Sequence, residues 1–192
     1  MNQIGVLGHI LDALEEVGIP YMIVGSFASG FHGDFRATQD ADIVIDPTPE
    51  QLRAFVTRVR DDFYVSPEAA AEALARRGQF NLVHFETAWK IDLIVRKERP
   101  FSRMEFERRQ EGSVGSRPAA INSPEDVILS KLEWAKTSRS ERQVRDAAGV
   151  VAAWGDALDW DYLDRWAEEL AVSDLLAQLR GAAPPSTPGS GS

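Results

Sequence analysis

Residues 21–46, YMIVGSFASGFHGDFRATQDADIVID, decide how this chain is read. Tyr21 to Val24 is short and apolar and lies between Pro20 and Gly25, the pattern of a buried strand. Gly25 permits a tight exit, and Ser26 is placed to cap a following helix whose first backbone N–H groups point outward. A helix start of that kind attracts phosphate oxygens. Asp40 and Asp42 then stand two apart on a second strand, so both point to one face while Ala41, Ile43 and Ile45 point to the other. Their α-carbons are expected roughly 6.5 Å apart, near enough for both carboxylates to converge on one magnesium ion at about 2.1 Å.

Each piece alone has an ordinary explanation. A Gly-Ser turn is a helix entry, and Asp-x-Asp is commonly a solvated strand end. In this order the pieces are more specific, because two inward-facing carboxylates at close range repel unless a cation compensates them.

Gly25-Ser26-Phe27-Ala28, His32-Gly33 and Arg36-Ala37-Thr38-Gln39-Asp40-Ala41-Asp42 together resemble the nucleotidyltransferase superfamily related to DNA polymerase beta. More narrowly they are similar to the bacterial branch that includes AbiEii-type toxins, whose pattern is Gly-Gly-x-Ala, His-Gly, then Arg-x-Thr-x-Asp-x-Asp. The match departs once, with Ser26 at the second glycine. It covers the first half of the chain well and the second half loosely. The fold it implies is α+β (α/β): a small mixed β-sheet nucleotidyltransferase core with flanking helices and a helical C-terminal part.

That superfamily uses a third carboxylate on a neighbouring strand. Trp89-Lys90-Ile91-Asp92-Leu93-Ile94-Val95 is strongly β-prone, with Asp92 on the same face as Lys90 and Ile94. A mid-strand aspartate is expensive to bury unpaired. A salt bridge to a nearby Arg or Lys would satisfy it, and so would a metal. The resemblance implies the second, with Asp92 helping to hold an ion and drawing the proton from an attacking hydroxyl. Phe80 to Phe85 and Trp89 to Val95 flank Glu86-Thr87-Ala88 as a hairpin, which places Asp92 in one sheet with Asp40 and Asp42.

Three helices surround these strands. Met1 to Val17 carries Ile4, Leu7, Ile10, Leu11, Leu14 and Val17 on one stripe and ends at Gly18. Thr48, Pro49 and Gln51 form a capping box ahead of Leu52, Phe55, Val56 and Val59. A third runs from Ser66-Pro67-Glu68 to Arg77 and ends at Gly78. The expected organisation is a core over residues 1–121, a helical region over 122–180, and a disordered Pro/Gly/Ser/Ala-rich tail over 181–192.

In the second half, Ser123-Pro124-Glu125-Asp126 is a helix start with a cap, a proline in the first turn and two acids that suit the helix dipole. Val127, Ile128, Leu129, Leu132, Trp134 and Ala135 follow, and Lys131 falls inside their apolar arc. Lys131 either snorkels to water or points into a site that wants a cation. The resemblance favours the latter and implies contact with a triphosphate, with Gly25, Ser26, Arg36 and Thr38 as the other nucleotide-binding residues. Ser138 to Trp154 reads as a second helix carrying Arg142, Arg145 and Asp146. Asp146 is either a functional acid after a basic residue or a solvated neighbour of a Glu141–Arg145 pair. A last helical pair spans Asp159 to about Leu179, its aromatic residues serving as packing.

Composition limits the alternatives. At 192 residues and 44% hydrophobic content the chain can form one compact domain or a small core with a helical appendage. The absence of cysteine excludes disulfides, thiolate nucleophiles and Cys-based zinc sites. His9, His32 and His84 have no metal-ligand spacing, and a structural hydrogen bond is expected for His32. No long apolar run or charged leader precedes the first helix, so a cytoplasmic protein without membrane contact is expected. A net charge of −9 argues against a broad nucleic-acid surface. Arg96, Lys97, Arg99, Arg103, Arg108 and Arg109 nonetheless follow the Asp92 strand, and Lys136, Arg139, Arg142 and Arg145 follow Lys131. They form either a basic rim beside an acidic centre or a charge-mixed, solvated helix, since Glu98, Glu105 and Glu107 interleave.

The resemblance implies a magnesium-dependent enzyme, with manganese as a substitute ion. It moves a nucleoside monophosphate from an NTP to an acceptor hydroxyl and releases pyrophosphate. Asp40, Asp42 and Asp92 would be catalytic and hold the metal. The implied acceptor is a tRNA end or a protein, as in toxin–antitoxin systems with a cognate partner. A small molecule of the aminoglycoside kind is the alternative acceptor. A non-catalytic partner-binding or antitoxin module is a second reading, against which the three retained acids count. A purely structural protein is a remote third.

Overall fold

A computed structural model describes residues 2–32 and 40–182. They group into two compact units: residues 2–27 with 40–122, and residues 28–32 with 123–182.

In the first unit the element order begins α1 (Gln3–Val17), β1 (Tyr21–Val24), the start of α2 (Gly25–His32), β2 (Asp40–Ile45) and α3 (Pro49–Val59). It continues with β3 (Phe63–Tyr64), α4 (Pro67–Arg76), β4 (Gln79–His84), β5 (Lys90–Val95), α5 (Pro100–Glu107), β6 (Gln110–Val114) and β7 (Arg117–Ile121). Seven strands among the described residues form one mixed sheet in the order β3-β4-β5-β2-β1-β7-β6. β2 pairs parallel with β5 and antiparallel with β1, while β4 and β5 form the hairpin expected from the sequence. The fold class is therefore the mixed-sheet α+β architecture inferred above.

Local signals place the helices as read. Asn2 caps α1, and Gly18 ends it at φ +76°. Thr48 and Gln51 close a reciprocal capping box at the start of α3. Gln51 also donates through Nε2 to the Gly18 carbonyl at 2.7 Å, tying the end of α1 to the start of α3. Two details differ. Ile4 is 43% exposed and lies off the buried stripe of α1. Helix α2 is already under way at Gly25, so Ser26 stands in its first turn and not ahead of it as the cap.

The register divides the two faces of the sheet unequally. One face is mainly apolar: Ile23, Ile43, Leu93 and Phe80 face the same way from β1, β2, β5 and β4, and all are buried. The opposite face is split along its strands. Its lower half holds Met22 and Val44, sealed by Phe106 of α5 with Val24 and Ile94 at the edge. Its upper half carries Asp40, Asp42 and Asp92. Burial of the lower half fixes register, because a slip of one residue would turn the acids into the apolar face.

The second unit is helical: α6 (Pro124–Ser138), α7 (Glu141–Trp154), a short 3-10 turn (Gly155–Ala157), α8 (Trp160–Glu169) and α9 (Ser173–Ala182), with the end of α2. The first turn of α6 is buried and does more than complement a dipole. Ser123 caps it by accepting from the Asp126 N–H, and the Tyr162 hydroxyl donates to Asp126 Oδ1 at 2.6 Å. The Asp159 N–H donates to Glu125 Oε1 at 3.0 Å, so both acids fasten α6 to the start of α8. Tyr162, Leu163 and Trp166 are buried, which makes the aromatic stripe of α8 packing, as expected. Trp134 is 61% exposed and does not join the apolar arc of α6.

Phe106→Ala should cost about 3–4 kcal/mol in equilibrium urea unfolding, because it opens the lid over Met22 and Val44. A loss below about 1 kcal/mol would mean that α5 does not seal that half of the sheet.

Candidate active site

The candidate site starts with the fit between Gly25 and Asp42. Val24 lies opposite Asp42 in the β1–β2 pair, so the chain turns into α2 directly beside that carboxylate. Gly25 has φ +68°, a conformation that disfavours any side chain. A Cβ there would also stand 2.2 Å from Asp42 Oδ2 and 3.0 Å from its carboxyl carbon. Glycine is thus required twice, once for the turn and once to leave room for the acid.

Asp42 and Asp92 are register partners on adjacent parallel strands, and Asp40 is the partner of Lys90. Neighbouring strands lie about 4.8 Å apart, so the two carboxylates project side by side. Continuing across the sheet, Asn81 of β4 lies opposite Asp92. Asp92 is 8% exposed, and Asp40 and Asp42 are half-buried. Of the two partners considered for Asp92, the structure contains the lysine: Lys90 Nζ donates to Asp92 Oδ2 at 2.8 Å. This holds the Lys90 ammonium above the usual lysine range. The hydrogen bond to Asp92 is the main cause, opposed by burial and reinforced by the charges of Asp92, Asp40 and Asp42. Lys90 is the residue whose part the sequence reading left undeveloped, although its spacing two before Asp92 already put both on one face.

Among the described residues no three acidic or histidine side chains are gathered at metal-ligand spacing. The chemistry of the donor set nonetheless fits a hard divalent ion, being carboxylate oxygens from adjacent strands on one open face.

Of the two readings left open for the arginines after β5, the structure shows the charge-mixed one. Arg96 lies four residues along from Asp92, about 13 Å at strand rise, at the far end of β5. There its guanidinium binds Asp46 and Glu98, Arg77 binds Asp46, and Arg103 binds Glu98. Arg99 donates to Ser102 Oγ, and Arg109 donates to the Phe106 carbonyl. The charge-mixed reading holds for this cluster.

Other expected site residues belong to the second unit or lie outside the described residues. Arg36 and Thr38 are outside them. Lys131 does not snorkel; it is 5% exposed, and its Nζ donates to Asp146 Oδ2 at 3.1 Å. Asp146 is therefore not solvated, its side chain being 11% exposed. The ring of His32 packs edge-on against Phe31 and Trp154, and the Trp154 Nε1–H donates to the His32 carbonyl at 3.0 Å.

Solved structures with the same architecture include the antibiotic-resistance factor ANT(2'')-Ia, with TM-score 0.62 and 15% identity over 92% of this chain and 97% of that chain. A second structure of it, in complex with adenylyl-2''-tobramycin, gives TM-score 0.57 and 18% identity over 94% and 98% of the respective chains. The fold is that of a nucleotidyltransferase. An antigenic nucleotidyltransferase-like protein from Paracoccidioides brasiliensis shares it, with TM-score 0.59 and 16% identity over 95% of this chain and 94% of that one. So does the lincosamide antibiotic adenylyltransferase LnuA, lincomycin-bound, with TM-score 0.53 and 16% identity over 77% and 95%. No protein-family model and no curated protein sequence matches the chain.

Gly25→Ala should lower stability by about 2 kcal/mol or more, combining the positive-φ cost with the contact on Asp42. In an Asp42→Ala background the same substitution should cost about 1 kcal/mol less, a coupling read from a double-mutant cycle of unfolding free energies. Strict additivity would contradict the contact.

Proposed function

We propose that this protein is a metal-dependent nucleotidyltransferase that moves a nucleoside monophosphate from an NTP to an acceptor hydroxyl. The observation that carries the reading is the register pairing of Asp42 with Asp92 beside the glycine turn that makes room for Asp42. Asp40, Asp42 and Asp92 would hold magnesium, or manganese in its place. The bound ions would neutralise charge on the triphosphate and orient it for in-line displacement.

The chain's own groups divide the remaining work. Backbone N–H groups in the first turn of α2, with the Ser26 hydroxyl, bind the phosphates that leave. Asp92 accepts the proton of the acceptor hydroxyl as its oxygen attacks the α-phosphorus. The bond from that phosphorus to the bridging oxygen breaks, and pyrophosphate departs. Such catalysis rests on positioning and preorganised charge. Arg36, Thr38 and Lys131 enter as nucleotide-binding residues from the motif resemblance alone.

A small, polyhydroxylated, cationic acceptor is the class we favour. The chain carries a net charge of −9, and Arg96 and Arg103, close in sequence to Asp92, are committed to Asp46 and Glu98. A polycation is attracted to such a surface, whereas an RNA end is repelled by it. Two fold neighbours were solved with antibiotic-derived ligands, adenylyl-2''-tobramycin and lincomycin. A tRNA or protein acceptor, a toxin–antitoxin partner and the AbiEii-type branch rest on the motif resemblance alone. No helix among the described residues is long and apolar enough to cross a membrane.

Thermal unfolding with each NTP, with and without magnesium, tests the reading without knowing the acceptor. At a hundred times its dissociation constant the preferred NTP should add roughly 2.7 kcal/mol. For a chain of this size that is a rise in Tm of roughly 5–10 °C. The rise should require magnesium and disappear in Asp42→Asn. No shift with any NTP would favour a non-catalytic binding module.

A further inference from the structure

Lys90 sits beside Asp40 and Asp92 at the rim of the acidic face and has no part in the reaction just described. It is the register partner of Asp40, stands two residues before Asp92 on the same side of β5, and holds Asp92 Oδ2 at 2.8 Å. A divalent ion on Asp92 would need the same carboxylate. Two cations at such range repel, so ion and ammonium compete for Asp92. The two partners are not equally anchored: the Lys90 side chain is 42% exposed and that of Asp92 only 12%. The lysine is the mobile member, a charged head on a flexible stem at the open rim of the site.

We propose that Lys90 is a resident cation of this site, which neutralises Asp92 while no divalent ion is bound and yields it when ion and nucleotide arrive together. This rests on the metal-dependent reading above and adds a coupling to it. With no nucleotide, the ion displaces an ammonium whose other acidic neighbours, Asp40 and Asp42, are the carboxylates the ion itself would hold. With a triphosphate present, the displaced ammonium has an anionic partner within the same site. Ion and nucleotide therefore bind cooperatively, and by linkage each raises the affinity of the other by the same factor. Lys90 is thus a positioning residue that suppresses ion binding without substrate. A purely structural clip between Lys90 and Asp92 predicts no such coupling.

The test is a titration of Mn2+ followed by the electron-paramagnetic-resonance signal of the free ion, with and without a non-hydrolysable NTP analogue. It compares wild type, Lys90→Met, Lys90→Gln, Lys90→Arg and Asp42→Asn, each first checked for a cooperative unfolding transition. Without nucleotide, Lys90→Met and Lys90→Gln should bind Mn2+ at least about tenfold more tightly than wild type, equivalent to roughly 1.4 kcal/mol of removed repulsion. The enhancement produced by the analogue should shrink in both variants and persist in Lys90→Arg. Unchanged or weaker Mn2+ binding in Lys90→Met and Lys90→Gln, with binding still lost in Asp42→Asn, would overturn this proposal and leave the metal site standing. Binding in wild type and Lys90→Met no stronger than in Asp42→Asn under either condition would overturn the metal-dependent reading and this proposal with it.

Discussion

Asp42 and Asp92 face the same way from adjacent parallel strands, and carboxylates at that spacing repel each other unless a cation joins them. Much of the first unit can be understood as the means of holding them there. The register that sets them side by side is enforced by the apolar residues around them: Ile43 and Leu93 on the opposite face, Val44 and Ile94 further along the same one. Phe106 seals Met22 and Val44 and stops short of the acids. One face of the sheet and half of the other are thus given to packing, and the remaining half carries the acids.

The same constraint explains two residues at the rim. Gly25 must lack a side chain, because the Asp42 carboxylate occupies the space that a Cβ would fill. Lys90 supplies a compensating charge through its bond to Asp92. On the proposed reading, an acidic face with its own internal cation is stable without ligand and would exchange that cation for a doubly charged ion.

How much of this could be read from the sequence followed the strength of the local pattern. The alternation Asp-Ala-Asp-Ile-Val-Ile and the β-prone run around Asp92 placed both acids on strands of one sheet, and Thr48-Pro49-Glu50-Gln51 placed α3 almost to the residue. Strands β6 and β7 escaped because they carry Glu111, Gly112 and Pro118 and show no clean alternation. The place of the arginines after β5 stayed open for a geometric reason: a strand separates its two ends, so residues close in sequence to Asp92 stand at the far side, on Asp46 and Glu98. Asp146 was left open between a functional and a solvated acid, and the acids of the α6 first turn were read only as complementing the helix dipole. Their partners Lys131, Tyr162 and the Asp159 N–H lie 15 to 36 residues away, beyond any local pattern.

The account stands or falls on where a divalent ion goes. The most direct measurement is anomalous diffraction at the manganese edge from crystals grown with Mn2+ and a non-hydrolysable NTP. The account predicts anomalous density bonded to both the Asp42 and Asp92 carboxylates, with Lys90 Nζ withdrawn from Asp92 Oδ2. Density elsewhere on the molecule, or nucleotide bound while Lys90 still holds Asp92 and no ion touches either acid, would contradict it.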